Sequence, residues 1–337
     1  MLFQKIMAGG GHRPNPLYVQ NVFATTLYSG SSNTALQINN GINLSTLGGL
    51  VWIKCRSNAV NHGLLDTHRG ISAHLQTNAI NAEAATPQLG SFDTTGFTHS
   101  ATPTNQNLDI NETDRTFVSW SFAKAAKFFD VVTYTGDGTN NRSISHSLGV
   151  SPGMIIIKRR SDTSNWGVYH TSLGINKYIL LNTTAAAVTA TTAGDFVSVS
   201  STDFVLYPAN RDSGFTANAS GITYVAYLFA HDTAANGIIQ CGSFTSDGSG
   251  NATVTLGWQP QYVLFKGSSV STDWYIADST RGFIAGNGDA FLKPNVSDAE
   301  SSAYAWGISP SATGFTAETI FGGGSFTVIY MAIRAVS

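Results

Sequence analysis

The sequence predicts an all-β fold, and three observations carry that prediction. Charged residues make up only 11% of the chain, less than half the usual fraction of about 25%, so the charged faces that soluble helices need are missing. β-Branched and aromatic residues alternate in short runs separated by Gly, Asn, Asp and Ser, which favours strands joined by tight turns. One strand–turn–strand phrase also occurs three times, which makes internal repetition the first feature to interpret.

The phrase is clearest at residues 152–174, PGMIIIKRRSDTSNWGVYHTSLG. An apolar run (Met154 to Ile157) ends at Lys158, crosses a polar turn and returns through Trp166, Val168 and Tyr169. Upstream the same phrase runs through Val51, Trp52, Ile53 and Lys54, and downstream through Val263, Leu264, Phe265 and Lys266. From Lys54 to Gly70, Lys158 to Gly174 and Lys266 to Gly282 the copies align without a gap. The residue eight positions after the lysine is His62, Trp166 or Trp274. Loss of alternation in the apolar run predicts a strand buried on both faces or at an interface.

Residues 1–20 lie outside the repeat. Leu2, Phe3, Ile6 and Met7 form an apolar tip, followed by Gly9, Gly10, Gly11, Pro14 and Pro16. An apolar tip on a Gly/Pro stalk cannot bury itself well in its own domain, so it is expected to be an arm that attaches to another subunit, the competing reading being a frayed terminus. Each repeat then opens with a strand (Asn21 to Gly30, Val131 to Gly136, Ile238 to Ser246) and a turn, GSSNT, GDGTNN or SDGSGN. Gly, Asn and Asp tolerate positive φ, which suits a hairpin. The strand after the turn alternates (Leu36–Gln37–Ile38, Ile144–Ser145–His146, Val254–Thr255–Leu256). The organising phrase follows, then a variable middle. Each copy closes on a long strand, at 116–123, 223–230 and 326–333.

The expected boundaries are therefore 1–20 (arm), 21–126, 127–233 and 234–337. A period of about 100 residues suits a β-sandwich better than a solenoid turn or propeller blade. The expectation is three tandem β-sandwich-like repeats behind an N-terminal arm. The short linkers should hold them in contact.

Composition narrows function. A net charge of −2 gives a nucleic-acid partner no electrostatic support. No run approaches the roughly 18 apolar residues of a membrane span, and the first residues lack the apolar core of a signal peptide. Membrane insertion is not expected, and the chain should stay, or be assembled, in the compartment where it is made. Cys55 and Cys241 sit at non-equivalent places, which reads as two buried free thiols.

No catalytic constellation emerges. His62, His68 and His74 recur six apart, which matches neither a helical face nor a zinc spacing. The Asp66–His68 pair is replaced in the other copies, so a catalytic triad is not supported. Asp247–Gly248–Ser249–Gly250–Asn251 resembles the opening of a calcium loop but lacks the closing glutamate, and reads as a turn. The four glutamates (Glu83, Glu112, Glu300 and Glu318) are too scattered to suggest a two-carboxylate glycosidase. The reading is a non-enzyme with no cofactor and no metal. Trp166 and Trp274, equivalent by the repeat, are the candidate glycan-contact residues, since an exposed indole stacks on a sugar face. The competing reading is that they are packing residues, together with Lys158 and His170. If one repeat binds a ligand, the third is expected to, through its Gly/Asn-rich loops at 282–298 and 321–325.

Residues 130–230 resemble a module of virion structural proteins of marine tailed phages, tail-fibre-like proteins above all. The likeness rests on VVTYTGDG, H-x-L-G-x-x-P-G-M-I-I-I-K, N-W-G-V-Y-H and YVAYLF. The first and third copies diverge, and in the first His62 stands for the tryptophan. The resemblance implies a virion location with the tail favoured over the capsid, assembly in the host cytoplasm, and other virion proteins as partners. A tail-fibre role would bring a homo-oligomer, with trimers usual for phage fibres by resemblance, and loops presented to a host-surface glycan. A capsid-decorating or head-fibre protein is the alternative, and a tail-spike-type polysaccharide-degrading enzyme a weaker one. The module supplies no ligand or catalytic motif to carry over.

Overall fold

The structure is a computed structural model of the 337-residue chain and describes residues 17–32, 34–101, 108–190, 195–207, 215–284 and 289–336. The arm residues Leu2, Phe3, Ile6 and Met7 lie outside the described residues. The fold is all-β, built from antiparallel sheets that pack as sandwiches.

One sheet pattern occurs in three successive stretches. In the first, a long sheet has the order Phe23–Ser29, Thr116–Ala123, Gly49–Cys55, Gly63–Asp66. A short sheet beside it has the order Gln37–Asn39, Gly96–His99, Leu89–Asp93. In the second, the long sheet runs Phe129–Thr135, Thr223–Ala230, Pro152–Arg159, Gly167–His170, and continues into Lys177–Leu180 and Val188–Thr189. Its short sheet is Arg142–Ser145, Asp203–Leu206, Phe196–Val199. In the third, Ile239–Thr245, Thr327–Arg334, Pro260–Gly267 and Trp274–Asp278 form the long sheet, and Ala252–Thr255, Gly314–Glu318 and Gly307–Ser311 the short one.

The organising phrase becomes the inner strand of each long sheet and the hairpin partner that follows it. Pro152–Arg159 pairs with Thr223–Ala230 on one side and Gly167–His170 on the other. All but its last residue are buried. Its register shifts between Pro152 and Met154, as that of Pro260–Gly267 does between Pro260 and Tyr262. Proline cannot donate to the ladder and is accommodated at such an irregular strand start. Alternation is lost because one sheet face covers its own short sheet while the other faces the neighbouring repeats.

The sequence predicts three tandem units in contact, and the structure closes them into a ring. The backbone N–H of Glu83 in the first repeat donates to Arg160 O in the second (2.8 Å), and Ala187 N–H in the second donates to Ser268 O in the third (2.9 Å). Glu300 N–H in the third donates to Arg56 O in the first (2.9 Å). Arg56, Arg160 and Ser268 each lie two residues after the phrase lysine. The three seams are therefore the same contact, repeated in cyclic order. A heterologous contact that closes after three steps is how a cyclic trimer is built, and here one chain supplies all three units.

The ring has a common core. The Phe122 ring lies 5.0 Å from Phe23, 5.6 Å from both Phe129 and Phe229, and 6.1 Å from Tyr262. These aromatics come from all three repeats and belong to one continuous apolar cluster. A second cluster, containing Phe265, Tyr275, Phe291 and Trp306, fills the third sandwich by itself. The short linkers alone would leave the repeats' outer sheet faces wet; burying them against each other removes that apolar surface from water.

Candidate functional site

The glycan-contact expectation for Trp166 and Trp274 is overturned by burial. Their exposures are 0% and 1%, so neither ring has a free face for a sugar. Instead each indole N–H crosses a seam: Trp166 Nε1 donates to Gln76 O (3.1 Å) and Ala79 O (3.0 Å) of the first repeat, and Trp274 Nε1 to Leu180 O (2.9 Å) of the second. His62, fully buried at the equivalent position, accepts from Trp52 Nε1 at Nδ1 (3.0 Å) and donates from Nε2 to Lys293 O (3.0 Å) of the third. The requirement at this position is an aromatic ring with an N–H aimed across the seam, which explains how histidine replaces tryptophan. Burial, reinforced by Lys54, holds His62 well below the usual histidine range.

The phrase lysines do the same work. Lys54, Lys158 and Lys266 are all fully buried, where an unpaired ammonium would be costly. Lys54 Nζ donates to Cys55 O (3.0 Å), Val60 O (2.8 Å) and, across the seam, Ser297 O (3.0 Å). Lys158 Nζ donates to Ser164 Oγ (3.2 Å) and across the seam to Ile80 O (3.1 Å). Lys266 Nζ bonds Thr272 O and, across its seam, Thr184 O (3.0 Å). Desolvation pushes each lysine down to about 8.

An asymmetry appears where the seams bury charge. Between the first and second repeats, Arg69 pairs with Asp66 and with Glu83 (3.1 Å). Glu83 also takes a two-point contact from Arg160, with both distances 2.9 Å. Tyr227 OH closes this network by donating to Asp66 (2.8 Å). Between the third and first repeats, Arg281 pairs with Asp278 (2.6 Å) and Glu300 (3.0 Å), and Arg56 grips Glu300 with 3.0 and 2.6 Å contacts. Trp120 Nε1 donates to Asp278 (3.0 Å), beneath the Arg281 guanidinium. Burial pushes the Glu83 and Glu300 carboxyls up, but their two arginines outweigh it and hold both below the usual range. In the seam between the second and third repeats, the corresponding positions hold His170, Leu173, Ala187 and Ser268. His170 Nε2 donates to Tyr330 O (3.0 Å) and no such network forms.

Asp66 is therefore bound to Arg69 and Tyr227, and His68 reaches it only through its backbone N–H (3.0 Å). His62, His68 and His74 are not gathered: His68 is exposed, while the other two are buried in different contacts. Asp247 Oδ1 accepts from the N–H groups of Ser249 (2.8 Å) and Asn251 (2.9 Å), as a tight turn requires. Cys55 and Cys241 are free and buried. Among the described residues, no group of three or more His, Cys, Asp or Glu side chains is placed to hold a metal ion.

The loop at 282–298, expected to be adaptable, is in part a seam element. Lys293 O, Pro294 O and Ser297 O all accept from the first repeat. Phe321, in the other candidate loop, packs against Trp306 at 5.2 Å. The seam network escaped the sequence reading because its members are scattered singly along the chain. The signal was present in the aligned columns, shifted by one copy: Asp66/His170/Asp278 and Arg69/Leu173/Arg281 change in the second copy and Arg56/Arg160/Ser268 in the third, and two of the four glutamates complete the sets.

No curated protein matches this chain. A family described as a domain of unknown function (DUF7483) matches residues 19–334, nearly the full length, and the chain belongs to that family.

Proposed function

We propose that the protein is a non-enzymatic structural component of a tailed-phage virion, placed at the tail and attached through its N-terminal arm. The observation that carries this reading is the ring itself. Lys54, Lys158, Lys266, Arg69 and Arg281 are engaged in holding repeat to repeat, which makes the chain a preformed building block. The resemblance of residues 130–230 to phage tail-fibre-like modules supplies the location, and the apolar residues Leu2, Phe3, Ile6 and Met7 supply the means of attachment. Other virion proteins, and further copies of this chain, are the proposed partners, with assembly in the host cytoplasm. The threefold form of the ring also suits a decoration protein seated on a threefold point of a capsid.

Antibody labelling of intact particles, read by electron microscopy, tests the proposal. Label at the tail is expected; label over the head selects the decoration reading, and unlabelled particles overturn both. Removing residues 1–16 should abolish incorporation while leaving the ring folded. Release of reducing ends from host polysaccharide by the purified protein would overturn the non-enzymatic role.

A further inference from the structure

The first and second repeats align without a gap over residues 49–85 and 153–189, and both carry the same amide bridge. Asn78 Nδ2 donates to Asn61 Oδ1 (2.7 Å), and Asn182 Nδ2 to Asn165 Oδ1 (2.8 Å). The two differ beside that bridge. In the first repeat, Asn61, His74, Leu75, Gln76, Asn81, Ala82 and Ala84 line a cavity of about 200 Å³. The second repeat places Tyr178, Ile179, Leu180, Ala185, Ala186 and Val188 at the positions of the last six, which are bulkier or apolar at the decisive points. The two repeats thus share an ungapped alignment here but not the side-chain chemistry.

The cavity has a definite chemical character. His74, Leu75 and Gln76 are buried and form its floor, and Asn81 is exposed at its mouth. Gln76 Oε1 accepts from Asn61 Nδ2 (3.2 Å), which fixes both amides. Burial pushes His74 down to about 4, so the floor is neutral at physiological pH and no lining side chain carries a charge. Primary amides offer donors and acceptors together, which matches hydroxyl groups and repels neither. The volume is below the roughly 300–1,000 Å³ of pockets for whole drug-sized ligands.

We propose that this cavity binds one uncharged sugar ring, as the terminal or a single internal residue of a glycan. The binding contact thus falls on the first repeat, at the mouth of its seam with the second, and not on Trp166, Trp274 or the third repeat. The inference deepens the glycan contact expected of a host-facing virion protein and rests on that role only for the glycan's source.

Ligand-detected saturation-transfer NMR on the full chain tests it, with methyl glucoside, methyl galactoside, methyl mannoside and methyl N-acetylglucosaminide as probes and glucuronate as the charged comparison. At least one neutral ring should give signal in the millimolar range, and glucuronate should bind more weakly. Asn81→Ala, an exposed change that should leave the thermal unfolding midpoint unchanged, should weaken binding about tenfold. Gln76→Leu, which installs the second repeat's residue, should abolish it. No signal from any neutral glycoside, or equal signal from wild type and Asn81→Ala, overturns the inference. Sugar binding with unlabelled particles would leave the cavity standing and remove the virion role; the reverse pair of results would do the opposite.

Discussion

Two seams of the ring bury a charged network and the third does without one. All three share the backbone hydrogen bond, the buried lysine and the ring N–H donor that crosses to the next repeat. The seam between the second and third repeats therefore shows that the shared contacts suffice to set the geometry. The Asp–Arg–Glu–Arg sets of the other two are complete or absent, never partial. Physical chemistry explains that pattern. A buried ion pair gains little over a well-packed neutral set because both charges must be desolvated, whereas removing one member strands the rest without water or partner.

The largest effect should come from breaking one network piecemeal. Asp66→Ala leaves the buried Arg69 guanidinium short of a carboxylate and Tyr227 OH without its acceptor, and should cost about 3–5 kcal/mol in urea unfolding. Installing the neutral seam whole (Asp66→His, Arg69→Leu, Glu83→Ala, Arg160→Ser, Tyr227→Met) should cost less than that single change. If the five-fold variant is the less stable of the two, the seams are not interchangeable.

The shared donor is the next test. Trp274→Phe keeps the ring but leaves Leu180 O without the indole N–H (2.9 Å), and should destabilise by about 1–3 kcal/mol. It should leave binding of neutral glycosides unchanged, since the indole has no exposed face. His62→Phe removes the same kind of donor from a seam that also holds an ionic network. Equal losses in the two variants would show that the donor acts independently of the network; a much smaller loss at His62 would show that the network compensates.

These tests also locate what could be read in the sequence. The strand pairs and their threefold recurrence were legible because period-two patterning and turn residues act locally. Burial of Met154 to Ile157 was legible too, since lost alternation has few causes. Ring closure was not, because contact between residues 56 and 300 leaves no local trace. Trp166 could be read either as a sugar platform or as packing, and only its exposure decides. Lys158 and Glu83 carry charges that ordinarily mark surface. The burial of Lys158 and the partial burial of Glu83 depend on partners in the neighbouring repeat.

Acid should separate the seams by a smaller margin. Glu83 and Glu300 titrate below the usual carboxylate range in the fold. They contribute stability above the unfolded-state pKa that is lost as pH falls through their folded values. Histidines act in the same direction at higher pH. Burial pushes His99 down to about 3 and His170 to about 4, so each stays neutral in the fold while the unfolded chain takes up a proton below about 6.5. Each such group removes at most about 1.4 kcal/mol per pH unit as pH falls from there toward its folded value. His99, whose two ring nitrogens have no hydrogen-bond partner, stands where the second repeat has Leu206. His99→Leu should flatten the fall in melting temperature between neutral pH and pH 4; an unchanged slope would show that His99 is not protonated on unfolding in that range.

The smallest effect is expected where charge lies outside any seam. Arg142 and Asp137 pair at 3.3 Å across the hairpin turn of the second repeat, with side chains 40% and 35% exposed. Both charged ends are partly open to water, and only Arg142 Nε is buried without a partner, so the pair gains little and its loss strands no carboxylate. Arg142→Ala should leave the melting temperature nearly unchanged, and added salt should erase even that small shift. Asp66→Ala should keep its full cost in the same salt, because ions do not reach the closed seam. A salt-sensitive Asp66→Ala would mean that water enters between the first and second repeats, and the seam would then behave as a surface, not as core.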